Sequence, residues 1–376
     1  MTSPLRLFIL AGEPSGDRIA ADLVSRLQAR VPLEFAGVGG EALSALGLKS
    51  FFDMNELSVM GWADVLPRLP KLLWRSRQVA RAIVKARPDV AVLVDSQVFN
   101  AIVAKQVHRL APEIPVVLCV APAVWAWKPE RAKSLSPKFR EILSVLPFEP
   151  AFMRAAGGPD TNYIGHPATS VFKQRSEVPK SGPLMLLPGS REGELRRHLP
   201  LMAEVAKRLA DHPRVTGFVL PTPSRLKARV ERETSQWPVA VEVITGDERR
   251  AAALDSAVAA VAVTGTVTLE LALSGVPMVT TYVADKGQAK RWVKYKVKYA
   301  SLPNAILDQP LVPEVLQLEA DPAALVAQIT QLLDEPASSQ AQLHGFARIR
   351  TLMEHGEEGE PRVDPVERIL RYYNPE

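Results

Sequence analysis

The chain has 376 residues, a length that suits two domains of ordinary size. Hydrophobic residues make up 47% and charged residues 23% of it, so a sizeable core can form and wholesale disorder is excluded. The formal net charge of +5 is compatible with an acidic partner and identifies none. The single cysteine, Cys119, excludes an internal disulfide framework and a cysteine zinc cluster, and it fits a reducing, cytoplasmic setting.

Membrane spans and secretion are not predicted. The longest apolar candidate, residues 251–263, is interrupted by Asp255 and is shorter than the roughly 18 residues that a span needs. The apolar run 5–11 leads directly into a Gly/Pro turn, unlike a signal peptide. We expect a chain that is not secreted and does not cross a bilayer, while a position on a membrane surface stays open.

Short apolar runs alternate with amphipathic helical patterns along the chain. This alternation predicts an α/β fold with parallel sheets covered on both faces, and two successive series predict two Rossmann-like halves. The predicted strands of the first half are 7–10, 35–38, 90–94, 116–120, 142–145 and 163–164. Those of the second half are 184–187, 217–220, 241–244, 258–263 and 278–281.

The domain boundary is expected in the polar stretch 173–182, which offers little to a core. It would separate an N-terminal domain, 1–172, from a C-terminal domain, 183–345. A helix is predicted after Asp321, a good N-cap followed by proline. In the tail, 346–376, we expect a loop at 355–361 and a helix at 366–373. Whether this tail packs back on the N-terminal domain is left open.

Two segments of the first half follow predicted strands and could carry chemistry. The small residues of 11–17, Ala-Gly-Glu-Pro-Ser-Gly-Asp, would let a ligand approach the backbone, although a plain strand-to-helix turn looks similar. Their spacing is not a dinucleotide fingerprint. Asp95 stands where open α/β sheets bind ligands and could be a general base, but a helix cap is the better interpretation from sequence physics alone.

Aromatic and histidine residues give weaker signals. Trp125 and Trp127 follow a strand. They could line a site for a sugar or an acyl chain, or one or both could pack in the core. His166 could contact a ligand, but a lone histidine is more often structural. The histidines never pair at metal-ligand spacing, and no Asp-x-Asp pair is present for a nucleotide-bound metal.

Two loops of the second half are compatible with phosphate. The first, Gly189-Ser190-Arg191, joins backbone N–H groups to a guanidinium that binds phosphate oxygens in a fixed fork; the alternative is a turn with an exposed arginine. The second, 264–270, places Thr264, Gly265 and Thr266 at a helix start and Glu270 one turn later, where a carboxylate can accept both ribose hydroxyls. Together they favour a nucleotide site.

Basic residues interleave with aromatic ones at 286–299, and a second basic cluster at 68–87 follows a group of apolar residues. This pattern suits an anionic membrane surface, and it suits nucleic acid less well. A solvated helix face explains it as well as a membrane does. The apolar residues that would contact lipid are Met60, Trp62, Val65, Leu66 and Leu69.

In this order, the segments resemble those of the lipid-A-disaccharide synthase family. The resemblance runs from about residue 5 to 315. Its motifs include AGEPSGD at 11–17, LSVMGWADVLPRLPKL at 57–72, DSQVFN at 95–100, PAVWAWKPER at 122–131, LLPGSREGEL at 186–195, TGTVTLE at 264–270 and SLPNAIL at 301–307. It implies a GT-B fold, in which two Rossmann-like domains face a central cleft.

The resemblance also implies a metal-independent, inverting hexosyltransferase that needs no cofactor. The implied reaction joins UDP-2,3-diacylglucosamine to 2,3-diacylglucosamine 1-phosphate through a β-1,6 bond and releases UDP. The implied place is the inner face of the cytoplasmic membrane, on an anionic surface. Nucleic acid is not an expected partner, and a homodimer is left open.

Residue roles follow from the same resemblance. Asp95 would be the general base, with Glu13 as the alternative proton acceptor. Donor contacts are implied for Gly189, Ser190, Arg191, Thr264, Gly265, Thr266, Glu270 and Asn304. Acceptor contacts are implied for Ser15, Asn100, Trp125, Trp127 and His166.

The sequence departs from the family pattern beside the proposed base. Gln97 and Val98 replace the usual third and fourth residues of the Asp95 motif, and Ala121 and Ala123 stand where serine is common. These changes leave the acyl-chain preference open. The competing interpretations are another GT-B enzyme, either a wall N-acetylglucosaminyl transferase or a UDP-sugar epimerase, and a non-catalytic membrane-surface protein.

Overall fold

The computed structural model describes residues 3–57, 62–126, 128–295 and 297–374, and at 62–68 and 291 it describes the backbone alone. Two predicted contact residues, Met60 and Trp127, lie outside the described residues. The side chains of Trp62, Val65 and Leu66 lie outside them as well.

The chain divides into two compact units. Unit 1 comprises Met1–Pro167 and Glu354–Glu376, and unit 2 comprises Ala168–Met353. Each has its own sheet and its own buried aliphatic core. The division after Pro167 comes earlier than the expected one, and the polar stretch 173–182 belongs to unit 2. The expected start of the tail at 346 falls inside a helix, Pro336–His355.

Unit 1 is a parallel α/β sheet. Its strands are β1 (Leu5–Ala11), β2 (Leu33–Val38), β3 (Val90–Val94), β4 (Val116–Cys119), β5 (Glu141–Ser144) and β6 (Asp160–Tyr163). Its helices before the tail are α1 (Pro14–Gln28), α2 (Glu41–Ala45), α3 (Trp62–Ala86), α4 (Gln97–Leu110) and α5 (Glu149–Ala155). The strand order is β2-β1-β3-β4-β5-β6. Because β1 lies between β2 and β3, the carboxyl ends of β1 and β3 form a topological switch point.

Unit 2 repeats this plan. Its strands are β7 (Gly182–Leu187), β8 (Val215–Pro221), β9 (Val241–Ile244), β10 (Ala259–Val263), β11 (Met278–Val283) and β12 (Glu314–Gln317). Its helices are α6 (Ala168–Val171), α7 (Glu192–Leu209), α8 (Lys227–Thr234), α9 (Asp247–Ser256), α10 (Thr266–Ser274), α11 (Lys286–Tyr295), α12 (Leu302–Leu307), α13 (Pro322–Asp334) and α14 (Pro336–His355). The order β12-β11-β10-β7-β8-β9 is that of a Rossmann sheet, with its switch point between β7 and β10.

The tail returns to unit 1. Residues 355–361, expected to form a loop, instead include an antiparallel hairpin of β13 (Gly356–Glu357) and β14 (Glu360–Pro361), with Gly359 at a φ of +83° in its turn. The last helix, α15 (Pro365–Leu370), is capped by Asp364, which accepts from the Val366 N–H at 2.9 Å. Its apolar face, Val366 and Ile369, is buried in the core of unit 1.

Polar contacts hold the same tail. Asp364 forms an ion pair of 2.6 Å with Arg26 of α1, and Arg368 pairs with the buried carboxylate of Glu141 on β5. The Tyr373 hydroxyl donates to the Ser3 carbonyl at 2.6 Å. The tail is therefore an integral part of unit 1. Among the helices described, none is long and apolar enough to cross a membrane.

Candidate functional site

The two predicted phosphate loops of unit 2 line one cavity of about 570 Å³. The loop Gly189–Arg191 follows β7, and the loop Thr264–Thr266 follows β10. Since β7 and β10 are the neighbours at the switch point, the cavity lies where open α/β sheets bind their ligands. Every predicted donor-site residue except Asn304 lines this cavity.

The first loop is built around a carboxylate. Gly189 has a φ of +95°, and a Cβ there would overlap Glu194 Oε2. That oxygen accepts from the N–H groups of Ser190 and Arg191 at 3.0 and 3.2 Å. The Ser190 N–H, expected to be a diphosphate donor, is thus already bonded to a carboxylate. The Arg191 side chain is 74% exposed and keeps most of its donors for a ligand.

The second loop starts α10. Thr268 Oγ1 donates to the Gly265 carbonyl at 2.8 Å, which fixes the first turn. The first N–H groups of a helix have no intrahelical acceptor, and here Gly265, Thr266 and Val267 border the cavity. The starts of α7 and α9 border it too, through Arg191 and Gly246. The start of α7 is already occupied by the Glu194 carboxylate, so the starts of α9 and α10 are the ones that favour negative charge in the cavity.

Glu270 meets a cation that the sequence did not single out. Its carboxylate forms an ion pair with Arg250 of α9, and both residues line the cavity. The Arg250 guanidinium lies 5.6 Å from the centre of the Phe172 ring, and its burial lowers its pKa. The carboxylate proposed for the ribose is therefore held in place by a second guanidinium of the cavity.

Asn304 is bonded inside unit 2, and its donor contact stays a prediction. Its buried side chain donates to the Val312 carbonyl and to Glu314 Oε1, both at 2.8 Å, and accepts from the Val312 N–H at 2.8 Å. Both amide hydrogens are thus used inside unit 2. Asn304 is not among the residues that line the cavity, so the structure assigns it to holding the loop before β12.

In unit 1, Asp95 lies at the switch point between β1 and β3. Its Oδ2 accepts from Ser15 Oγ at 3.3 Å, so the two predicted segments meet. Asp95 and Ser96 have φ values of +55° and +35°, a strained left-handed backbone of the kind found at functional sites. Burial raises the pKa of Asp95, which makes its carboxylate a stronger base.

The glycines of the first segment are required by packing. A Cβ on Gly12 would overlap the buried Ser96 hydroxyl, and one on Gly16 would lie 3.2 Å from Asp95 Cβ. The last residue of the segment, Asp17, is buried and accepts from the N–H groups of Gly40 and Ala42 at 2.7 and 2.8 Å. Glu13 is exposed at the N-cap of α1. The contacts of Gly12 and Gly16 set the Asp95 loop close against the segment that follows β1.

Asn100 supports Asp95 and does not reach the surface. Its side chain is fully buried and donates to the Asp95 carbonyl at 2.6 Å. The contact of Asn100 with an acceptor stays a prediction; in this structure its side chain is buried and its Oδ1 has no hydrogen-bond partner among the described residues. Its role in the structure is to hold the backbone of the Asp95 loop.

The remaining predicted acceptor residues follow other strands of unit 1. Trp125 packs edge-to-face on Phe148, with ring centres 5.1 Å apart. Next to Phe148, burial raises the pKa of Glu149 to about 8, and Trp125 and the Leu146 N–H oppose that rise. Burial lowers the pKa of His166 to about 4, so its imidazole is neutral at pH 7. Sequence reasoning did not single out Glu149.

Comparison with known proteins identifies relatives along nearly the whole chain. The family model described as lipid-A-disaccharide synthetase matches residues 7–362. The lipid-A-disaccharide synthase of Rhodopseudomonas palustris is 38% identical over 365 residues, covering 94% of this chain and 92% of that protein.

Solved structures agree on the fold. The UDP-GlcNAc 2-epimerase of Neisseria meningitidis has a TM-score of 0.58 at 11% identity and covers 93% of this chain and 97% of that one. MurG of Acinetobacter baumannii has a TM-score of 0.55 at 15% identity and covers 93% and 99%. At such identities the likeness concerns the fold alone, and the predicted α/β fold with two Rossmann-like domains is confirmed. The family model and the relative together establish that the chain belongs to the lipid-A-disaccharide synthetase family.

Proposed function

We propose that the cavity of unit 2 holds the UDP part of a UDP-2,3-diacylglucosamine donor and that Asp95 of unit 1 activates a 2,3-diacylglucosamine 1-phosphate acceptor. The reaction class follows from the family: the chain is a glycosyltransferase that forms the lipid A disaccharide. The observation that carries the proposal is the cavity at the switch point, with Arg191, Glu270 and the start of α10 around it.

Two features of the cavity support binding of a diphosphate. The starts of α9 and α10 present N–H groups and partial positive charge to it, and Arg191 adds the guanidinium N–H groups that Glu194 leaves free. When the bond to the sugar breaks, negative charge grows on the leaving UDP. Donors already aimed at that charge stabilise the transition state more than the ground state.

The chemical step needs a base for the acceptor 6-hydroxyl. In the proposed step its oxygen bonds to the anomeric carbon, the bond from that carbon to the UDP oxygen breaks, and Asp95 takes the proton. A raised pKa suits Asp95 to this task, and Ser15 orients its carboxylate. Glu13, the alternative proton acceptor, is exposed. Desolvation therefore favours Asp95.

Both proposed substrates carry acyl chains, and exposed apolar residues beside cations support a position on an anionic membrane. On α3, Leu69 is 40% and Trp74 is 55% exposed, and Arg77 and Arg81 of the same helix are exposed cations. On α11, Val293 is 81% exposed beside Lys294. Such surfaces suit the interface of an anionic bilayer, here the inner face of the cytoplasmic membrane.

Incubation with both acylated substrates tests the proposal. Mass spectrometry should detect one disaccharide 1-phosphate for each UDP released, and the Asp95→Asn variant should lose most of this activity. Product from UDP-N-acetylglucosamine alone would support the wall transferase, and interconversion of UDP-sugars without an acceptor would support the epimerase. Sedimentation with phosphatidylglycerol vesicles, compared with phosphatidylcholine vesicles, tests the membrane surface separately.

A further inference from the structure

Arg191 is tied to Glu194 one turn into α7. Glu194 Oε1 accepts from Arg191 Nη1 at 2.9 Å, while its Oε2 accepts from the Ser190 and Arg191 N–H groups. The Glu194 side chain is only 9% exposed, whereas that of Arg191 is 74% exposed. One buried carboxylate therefore fixes both the backbone of the loop and one edge of an otherwise exposed guanidinium.

The backbone of Glu194 is also held in place, by the buried side chain of His198. The backbone carbonyl of Glu194 lies 2.8 Å from His198 Nδ1, and His198 Nε2 lies 2.9 Å from the Val283 nitrogen at the end of β11. Since a backbone N–H can only donate, Nε2 is the acceptor and Nδ1 carries the proton. Burial lowers the pKa of His198, in keeping with this neutral form. A continuous set of hydrogen bonds thus runs from the sheet to Arg191.

We propose that Glu194 is a positioning residue for the donor, which aims the free edge of the Arg191 guanidinium at the diphosphate. This inference rests on the proposed function. Because Glu194 already holds the N–H groups of Ser190 and Arg191, the diphosphate is bound by the remaining guanidinium N–H groups and by the start of α10. The backbone of Ser190 and Arg191 shapes the site without binding the anion.

Calorimetric titration of the full chain with UDP tests this role. In Glu194→Gln, the amide oxygen can still accept from the loop N–H groups, but the ion pair with Arg191 is lost. We expect an unchanged melting temperature and a UDP affinity that is about tenfold weaker, because an ordered charge-assisted contact is released. The matched control is Glu192→Gln on the same helix, a 78% exposed side chain whose partner is Arg229. It should bind UDP like the unsubstituted chain.

A double-substitution cycle with Arg191→Ala separates positioning from general support of the loop. If Glu194 acts through Arg191, Glu194→Gln should change UDP affinity less than twofold once Arg191 is removed. Unaltered UDP affinity of Glu194→Gln, or losses that multiply in the double variant, would overturn the inference. Failure of the unsubstituted chain to bind UDP would instead overturn the proposed function, and this inference with it.

Discussion

Glu149 should make unit 1 less stable as the pH rises from weakly acidic to weakly basic. Its carboxyl is buried at the start of α5, where burial raises the pKa to about 8 from an ordinary value of 4.5. Between these two values the folded chain keeps a proton that the unfolded chain has lost. A group that is protonated only in the folded state makes that state less stable as the pH rises. The loss of stability therefore begins near pH 4.5 and is complete above about pH 8.

The size of this effect follows from the same two pKa values. Each unit of pKa difference is worth about 1.4 kcal/mol, so the full loss is on the order of 3–5 kcal/mol. The Glu149→Gln variant keeps an uncharged side chain of the same size and removes the titration. Over the same pH range, its free energy of unfolding should therefore fall by about 3–5 kcal/mol less than that of the unsubstituted chain.

Urea unfolding of unit 1 is measured at several values from pH 5 to pH 8.5. The free energies of unfolding of Glu149→Gln and of the unsubstituted chain are then compared at each pH. Glu113→Gln is the matched control, because Glu113 is an exposed acid of the same unit. Its stability should follow the pH dependence of the unsubstituted chain. Parallel curves for Glu149→Gln and the unsubstituted chain would refute the reasoning, because Glu149 would then titrate alike in the folded and unfolded states.

Three further predictions concern the proposed base, the loop before β12 and the glycine that packs against Ser96. Asp95→Asn should lower turnover of disaccharide formation about 100-fold or more with little change in melting temperature, and a loss below tenfold would argue against a general base. Asn304→Ala leaves buried Val312 backbone groups without partners and should cost about 2–4 kcal/mol in urea unfolding; unchanged stability would contradict its role in holding the loop. Gly12→Ala should lower the melting temperature through overlap with Ser96, at a cost of about 1–3 kcal/mol, and Ser96→Gly in the same chain should restore part of it.

The strands were predictable wherever burial is complete. All five residues of β3 are buried, and its limits, Val90–Val94, match the sequence pattern because a central parallel strand is apolar throughout. β12 was not predicted because Glu314 and Gln317 interrupt its apolar character at the edge of the sheet. The hairpin at 356–361 was not predicted either, since strands of two residues leave no periodic signal.

The loops that carry the proposed site could be predicted from the sequence. The buried residues that hold those loops in place could not. Strand ends followed by small residues indicated the Asp95 and Arg191 loops, because parallel strands must bring such ends to one edge. The roles of Asn100 and Asn304 depend on buried carbonyls that only the folded chain brings near them. His198 was not recognised because its second partner, Val283, lies on a distant strand.

The return of residues 354–374 to unit 1 affects how the chain is made. The ribosome must finish all of unit 2 before Val366 and Ile369 can fill the first core, and before Arg368 can neutralise Glu141. During synthesis, unit 1 therefore exposes the apolar surface that α15 later covers, and Glu141 lacks its ion-pair partner. Nascent chains stalled anywhere within unit 2 should be more sensitive to protease in their first 167 residues than the completed protein.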